Sequence, residues 1–320
     1  MKIFRQLAAV PADFGPTIVS VGNFDGVHCA HRAVLGEVVR RAQETGARSM
    51  AVTFDPHPSR ILRPADAPKL LTSTARKLEL LAETGLDATL VLPFDRDLSL
   101  TPPREFATQL LARTLHAKEV HEGANFHFGH KAEGNVERLK EFGREAGFAV
   151  RVYDEVRMRG QPVSSSNIRK LLLAGDVSRV RVLLGRVFSI AAAPGRGRGY
   201  GHKYTVPTIN LARYDELTPG LGVYVTRTRV GNEWFESVTN VGNRPTFGEA
   251  SFAIESHLLN FHPIEVTAGT EVEIFFLKWL RPEQRWPDVD ALRAQIARDV
   301  HRARRYFHVQ HHLAPMRARG

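Results

Sequence analysis

The sequence nearly lacks cysteine. Cys29 is the only one in 320 residues, which excludes a disulfide framework. Long apolar runs are missing too: none approaches the ~18–20 residues that span a bilayer, so no membrane partner is expected. The opening stretch, MKIFRQLAAVPADFGPT, carries Lys2 and Arg5, but its apolar run is short and broken by Pro11. That makes a poor export signal, and with one unpaired thiol it leads us to expect a cytoplasmic protein. Acidic residues fall short of basic ones, 34 Asp+Glu against 44 Lys+Arg, and the pI is near 10.0. This balance raises a polyanion as partner. A nucleic-acid arm concentrates its charge, however, and no long basic block is present. Residues 1–185 hold 26 basic and 21 acidic residues, and residues 186–320 hold 18 and 13, so each part carries +5. Most of this reads as a solvated Arg-rich surface, with a phosphate-rich small molecule as the functional competitor, because guanidinium suits phosphate.

What is present is an ordinary globular composition, 43% apolar and 24% charged, which excludes disorder as the main state. The length predicts about two domains. In the first part, compact apolar runs (Thr17–Val21, Met50–Phe54, Ala88–Leu92, Val120–Gly123, Phe148–Val152) alternate with amphipathic ones. Val34, Leu35, Val38 and Val39 share one helical face; Leu78, Leu81 and Ala82 form another; Phe106, Leu110 and Leu111 form a third. Strands alternating with helices predict a doubly wound, Rossmann-like α/β domain over residues 1–185. Over residues 186–320 the pattern changes to short strand-like runs: Val187–Ala191, Gly222–Val230, Trp234–Asn240, Ala253–Leu259 and Glu271–Leu277. These predict a small antiparallel β-barrel. A terminal helix is expected from Asp288, burying Val289, Leu292, Ile296, Val300 and Phe307, with the tail from His308 fraying. There is no internal repeat.

The sharpest feature is TIVSVGNFDGVHCAHRAVL, residues 17–35: a strand, a Gly-containing turn, and a helix expected to begin near Ala30. Gly22 and Gly26 allow close backbone approach, and the helix start offers N–H groups to an anion. His28 and His31, three apart, suit charge stabilisation on a polyphosphate. A zinc pair and purely structural histidines are the other readings. Zinc lacks an evident third ligand nearby.

The segment resembles the His-x-Gly-His signature of the nucleotidyltransferase superfamily, and in its GNFDGVH form the adenylyltransferase module of bifunctional bacterial riboflavin kinase/FAD synthetases. TFDPHP (53–58), GANFHFG (123–129) and VSSSNIRKLL (163–172) resemble further motifs of that family, in the right order. The resemblance implies His28 and His31 as catalytic groups. It implies nucleotide contacts from Gly22, Asn23, Phe24, Asp25, Gly26, Ser164, Ser165 and Arg169. It implies flavin contacts from Phe54, Asp55, Pro56, Asn125 and Phe128. Taken alone, Phe54, Phe126 and Phe128 are as readily core aromatics, and the Ser run is as readily a helix cap. Ala30 stands where the family has glycine, which predicts tightened nucleotide approach and retained activity.

Residues 195–210, GRGRGYGHKYTVPTIN, alternate glycines with basic and aromatic residues. Alone, this loop reads equally as a phosphate cradle, a linker or an RNA contact. PTIN (207–210) resembles the Pro-Thr-Ala-Asn motif of riboflavin kinases, and NVGNRPTFG (240–248) and FAIESHLLNF (252–261) resemble later kinase segments. Thr208 and Asn210, two apart, share one face of an extended strand. The resemblance implies that they hold Mg²⁺ and nucleotide phosphates, that Gly197 and Gly201 contact nucleotide, and that Glu255 is the catalytic base. The kinase half departs at Thr205, Ile209 and Ala192. The whole resemblance implies an enzyme that phosphorylates riboflavin to FMN with ATP and adenylylates FMN to FAD, releasing pyrophosphate. Two alternatives are kept: an FAD synthetase with weak or absent kinase activity, and a basic RNA-binding protein on a nucleotidyltransferase-like fold.

Overall fold

The computed structural model describes residues 1–195, 208–212, 214–245, 250–264, 267 and 269–317. The chain divides into two compact units, Met1–Ser165 and Ser166–Gly320.

In the first unit, β1 (Lys2–Phe4), β2 (Thr17–Val21), β3 (Arg48–Asp55), β4 (Ala88–Pro93) and β5 (Ala117–Gly123) are followed by two short hairpins. These pair β6 (His127–Phe128) with β7 (Gly134–Asn135), and β9 (Arg157–Met158) with β10 (Gln161–Pro162). Together with β8 (Ala149–Tyr153), the first five strands make an all-parallel sheet in the order β1-β4-β3-β2-β5-β8. The helices between them are α1 (Cys29–Thr45), α2 (Pro58–Leu62), α3 (Thr74–Ala82), α4 (Arg96–Leu100), α5 (Pro103–Glu105) and α6 (Val136–Ala146). A π-helical run, Phe106–Thr114, continues α5.

Parallel strands covered on both faces need continuous apolar runs rather than alternation. Thr17–Val21 is such a run, buried at every residue. On one face, Leu35 and Val38 of α1 and Leu78 and Leu81 of α3 pack with Ile18, Ala51 and Val91. On the other, Phe106, Leu110, Leu139 and Phe142 pack with Val19, Met50 and Leu90. Each fully buried side chain of this size contributes about 1.5–3 kcal/mol. The unit is the doubly wound domain that the alternation predicts, with β1 added at the edge. Three residues, two of them exposed, give β1 no period to detect.

The strand order positions the site. From β2 the chain steps one way to β3 and β4, then returns to place β5 on the other side of β2. In such sheets a crevice opens outside the carboxyl ends of the strands where the order reverses. The loops after Val21 and after Gly123 leave the sheet there.

The second unit begins with α7 (Ser165–Leu173, whose first residue belongs to the first unit) and α8 (Val177–Leu184). Then come β11 (Phe188–Ala192), β12 (Thr208–Asn210), β13 (Gly222–Val230), β14 (Glu233–Pro245), β15 (Ala250–Leu258), β16 (Val272–Arg281) and α9 (Val289–Arg317). The strands form an antiparallel sheet in the order β11-β16-β13-β14-β15-β12. It curls until its edges meet: Gly195 N–H donates to Asn210 O (2.7 Å) and Ala212 N–H to Ala193 O (2.9 Å). A Cβ at Gly195 would stand 2.6 Å from Leu211 O, so this closure requires glycine. The predicted small barrel is therefore present.

Two expectations for the terminal helix are corrected. Ala303 and Phe307 are buried and Val300 packs beside them, but Val289, Leu292 and Ile296 stay 61%, 38% and 41% exposed. A helix of 29 residues runs about 44 Å, and it is the stretch from Val300 through Ala303 and Tyr306 to Phe307 that packs against Val223, Val225 and Val238 of the sheet. The tail does not fray at His308, because the helix continues to Arg317. Asp288 caps it as expected, its Oδ1 accepting from Ala291 N–H at 2.7 Å.

The barrel interior is partly polar. Thr226, Thr228, Ser237, Thr239 and Ser256 are fully buried and hydrogen-bond to one another at 2.7–3.1 Å. Every hydroxyl thus has a partner of its own kind, which removes the penalty of burying it. Thr228→Val keeps the β-branched shape and removes the bonds to Ser237 and Ser256. It should lower unfolding free energy by about 1–2 kcal/mol, read as a lower denaturation midpoint at unchanged slope.

Candidate functional site

The turn after β2 is held in a conformation its own residues resist. Phe24 (φ 47°), Gly26 (φ 80°) and Val27 (φ 37°) lie in the left-handed region. For bulky or β-branched residues this costs about 1–3 kcal/mol each and persists only when surroundings enforce it. They do. The buried Asp25 carboxylate accepts from Leu71 N–H (2.9 Å) and Thr72 N–H (3.2 Å). Gly26 N–H donates to Thr72 Oγ1 (3.2 Å), and Ser165 Oγ donates to Asp25 O (2.9 Å). The Phe24 ring lies against Gly22, where a Cβ would meet it at 3.1 Å. The same ring meets His31 edge-on, centroids 5.2 Å apart. The Asp25 side chain is therefore engaged in tying the turn down.

The helix begins one residue earlier than predicted, at Cys29, and His28 is its cap. His28 Nδ1 accepts from His31 N–H (3.3 Å), so the neutral ring carries its proton on Nε2. The two imidazoles stack, centroids 3.6 Å apart and 14° from parallel. Burial, then the neighbouring His28 and Lys77, push the His31 pKa well below the usual histidine value, so His31 is neutral at pH 7. His31 Nδ1 is the one buried side-chain nitrogen or oxygen among the described residues without a hydrogen-bond partner. A buried polar atom left unpaired at a strained turn marks a place built to receive something.

The other sequence-predicted residues of the first unit divide in two. Phe128 is core: it is 7% exposed, stacked on Phe126 (5.3 Å) and tilted against Phe106 (5.7 Å). Phe54 is half-buried, edge-on to Phe94. Asn125 is exposed in the turn after β5, at the strand-order reversal, while Asp55 is exposed at the end of β3 and accepts from Thr74 Oγ1 (3.2 Å). Ser164 and Arg169 are partly buried; Ser164 immediately precedes α7, and Ser165 and Arg169 lie on it. Lys77 and Glu122 escaped the sequence reading. Lys77 sits in the apolar stripe of α3, three and four residues before Leu80 and Leu81, and that misplaced charge is the signal that was available. Glu122 lies near the end of β5, with Oε1 accepting from Val21 N–H (2.6 Å), a bond that a neighbouring backbone carbonyl would otherwise accept.

In the second unit, register assembles the residues. Asn210 pairs with Glu255, and Glu255 pairs on its other side with Asn240. Thr208 pairs with His257, and His257 with Val238. Alternation places all of these on the outer face, where Val223, Val225 and Val238 pack with Ala303 and Phe307 of α9. Burial and Arg304 lower the His257 pKa, which keeps its ring neutral at pH 7. Ile209 pairs with the fully buried Ser256 and points the other way. That departure from the kinase pattern therefore lines the barrel interior. Gly197, Gly201 and Thr205 lie outside the described residues; Ala192 ends β11. Among the described residues, no helix is long and apolar enough to cross a membrane.

A parallel α/β unit with a paired-histidine turn at its strand-order reversal, followed by a six-stranded antiparallel barrel, defines a nucleotidyltransferase-type domain joined to a kinase-type barrel. The FAD synthetase family model matches residues 10–167, and the riboflavin kinase family model matches residues 184–307. The bifunctional riboflavin kinase/FMN adenylyltransferase of Pseudomonas fluorescens is 32% identical over 309 residues, covering 95% of this chain and 97% of that protein. Its namesake from Escherichia coli K12 is 32% identical over 311 residues, covering 96% and 98%. The chain belongs to the bifunctional riboflavin kinase/FMN adenylyltransferase family. A crystal structure described as a macrolide-efflux protein from Streptococcus pneumoniae superposes with a TM-score of 0.84 over 94% of this chain and 98% of that one. At 22% identity it shows a shared fold only.

The two glutamates of β5 make a testable contrast. Hydrogen bonds from Arg41, then Arg151 and His121, hold the Glu119 carboxyl down at about 2. Burial lifts that of Glu122 well above the usual range, with only the Val21 N–H opposing it. For Glu122 the native state holds the proton more tightly than the unfolded chain. Its contribution to stability is full below the unfolded value of about 4.3 and is lost as pH rises toward the native value. Glu122→Gln keeps an acceptor for Val21 N–H and cannot titrate. Its melting temperature should match the parent near pH 4 and exceed it increasingly toward neutral pH, measured by thermal denaturation across that range.

Proposed function

We propose that this chain makes flavin cofactors in two steps. The barrel transfers the γ-phosphoryl group of ATP to the terminal ribityl hydroxyl of riboflavin, giving FMN and ADP. The α/β domain then lets an FMN phosphate oxygen attack the α-phosphorus of a second ATP. The bond to the β-phosphate oxygen breaks, and pyrophosphate leaves with the electron pair, giving FAD. The observation that carries the reading is the unpaired, neutral His31 stacked on the capping His28 at a strained turn, in a chain whose family pairs this domain with a riboflavin kinase. We place the functional boundary near residue 185.

Adenylyl transfer needs no protein nucleophile; the domain contributes positioning and charge stabilisation. His28 donates from Nε2 and His31 offers its ring nitrogen to the phosphate side. Ser164, Ser165 and Arg169 hold the polyphosphate. Gly22, Asn23, Phe24, Asp25 and Gly26 shape the nucleotide side, where Asp25 acts by fixing the turn. Phe54, Asp55, Pro56 and Asn125 face flavin, and Phe128 supports that loop from the core.

In the kinase, Glu255 takes the proton of the ribityl hydroxyl as its oxygen attacks phosphorus. Thr208 hydroxyl and Asn210 amide oxygens, beside the Glu255 carboxylate, form a hard oxygen donor set that fits Mg²⁺. Bound there, the ion would neutralise phosphate charge. Gly197 and Gly201 contact nucleotide. The enzyme works in the cytoplasm on small molecules.

Purified protein given riboflavin, ATP and Mg²⁺ should accumulate FMN and then FAD, separated chromatographically over time. Failure to form FAD from FMN, ATP and Mg²⁺ overturns the reading. His28→Ala and His31→Ala should each slow FAD formation by about 10²–10³-fold and leave riboflavin phosphorylation intact. Glu255→Gln should do the reverse, and loss of both activities together would point to misfolding instead of a base.

A further inference from the structure

Lys77 is a buried cation that neither reaction, as described, uses. It is 7% exposed on α3, among Leu78, Leu80 and Leu81 of the same helix. Its Nζ donates to Thr53 Oγ1 (3.0 Å), Phe54 O (3.2 Å) and Asn23 O (3.3 Å). An ammonium has three N–H donors, and here each finds an acceptor. Thr53 Oγ1 in turn donates to Asn23 O at 3.2 Å, closing a triangle between the two strands. Asn23 immediately precedes Phe24, the first strained residue of the turn, and Phe54 precedes Asp55 at the end of β3.

We propose that Lys77 is the positioning residue of adenylyl transfer: its ammonium locks the carboxyl ends of β2 and β3 together and so fixes the height and tilt of the histidine turn. The inference rests on the adenylyltransferase reading of this site. Because all three protons are committed, Lys77 works through the backbone of the turn and not by touching a phosphate. A neutral side chain of similar length fills the space but supplies no donors. Arginine keeps the charge, but its planar fork spreads the donors over three nitrogens and cannot aim three from one atom at these acceptors.

The charge has a second effect. The groups acting on His31 are His28, from the turn, and Lys77, from α3, and both disfavour its protonation behind the dominant effect of burial. Burial lowers the Lys77 pKa, and the groups that face it and oppose this are Asp55 at the end of β3 and Asp25 in the turn.

The test uses the full chain carrying Lys77→Met, Lys77→Arg or Thr53→Val. FAD formation from FMN is measured as kcat and KM, and riboflavin phosphorylation serves as an internal folding control. The His31 imidazole is titrated by NMR, assigned with His31→Gln. Lys77→Met should lower kcat for FAD by about 10–100-fold with little change in KM for ATP and with kinase activity retained. Lys77→Arg should not restore kcat, yet should keep His31 titrating near the parent value, whereas in Lys77→Met His31 should titrate at higher pH. Thr53→Val removes one side of the triangle inside a strand that tolerates valine, and should lower kcat several-fold. Unchanged kcat in Lys77→Met overturns the proposal, as does full rescue by arginine. If Lys77→Met loses both activities through misfolding, Thr53→Val decides, and unchanged kcat there overturns it. If the parent enzyme forms no FAD, the adenylyltransferase reading fails, while the His31 titration still shows whether Lys77 governs the turn.

Discussion

The first unit depends on one buried carboxylate. Asp25 sits in the middle of a turn whose neighbours on both sides hold left-handed backbone angles. Its oxygens take the N–H groups of Leu71 and Thr72, a segment 46 residues away in sequence. Without that anchor, Phe24 and Val27 would relax to ordinary angles and the helix start would lose its place. The cap geometry of His28, the stacking of His31 and the closeness of the Phe24 ring to Gly22 all follow from where the turn is pinned. Strain of this kind is stable only because several independent contacts oppose it at once. Motif resemblance alone makes Asp25 a nucleotide contact, but its carboxylate first has to hold the backbone in the shape that could face a ligand.

The second unit reaches its arrangement by other means. No strained turn is needed to bring Asn210, Glu255 and Asn240 into a row, because strand register does so. Register is set by which side chains face inward. The inward set here is unusual in carrying five hydroxyls that satisfy one another. A one-residue slip would turn those hydroxyls outward and drive Glu255 and the asparagines into the barrel. The polar interior and the outer row therefore specify each other.

Much of this was legible in the residues. The β-branched runs located five of the six parallel strands, since strands covered on both faces write a dense apolar signal. The boundaries of β13 were legible to the residue, because Thr226 and Thr228 alternate with Arg227 and Arg229. What escaped has common physical causes. β1 gains its place only by pairing with β4, a contact no local pattern encodes. The burial of α9 was misjudged because periodicity shows which face is apolar but not which of its turns meet a neighbouring element. Phe128 reads equally as a flavin contact or as core until its neighbours are known. Lys77 was missed because a lysine is assumed to be solvated, and only the three converging acceptors show otherwise.

The excess positive charge takes on a different meaning once the side chains are placed. Many arginines are engaged at the surface: Arg40 with Glu37 and Glu44, Arg76 with Glu79, Arg104 with Glu145, Arg229 with Glu271. Exposed pairs of this kind contribute about 0–1 kcal/mol and are screened by salt. At the histidine turn the positive character comes instead from a helix start and one buried ammonium, beside a His31 ring that burial keeps neutral. Shielded from water, a few such groups act over a longer effective range than many solvated ones. Net charge, measured over the whole chain, is therefore a poor guide to where an anion would be held. The informative charge is Lys77, the one lysine buried among the described residues, which the fold buries despite the desolvation it must overcome.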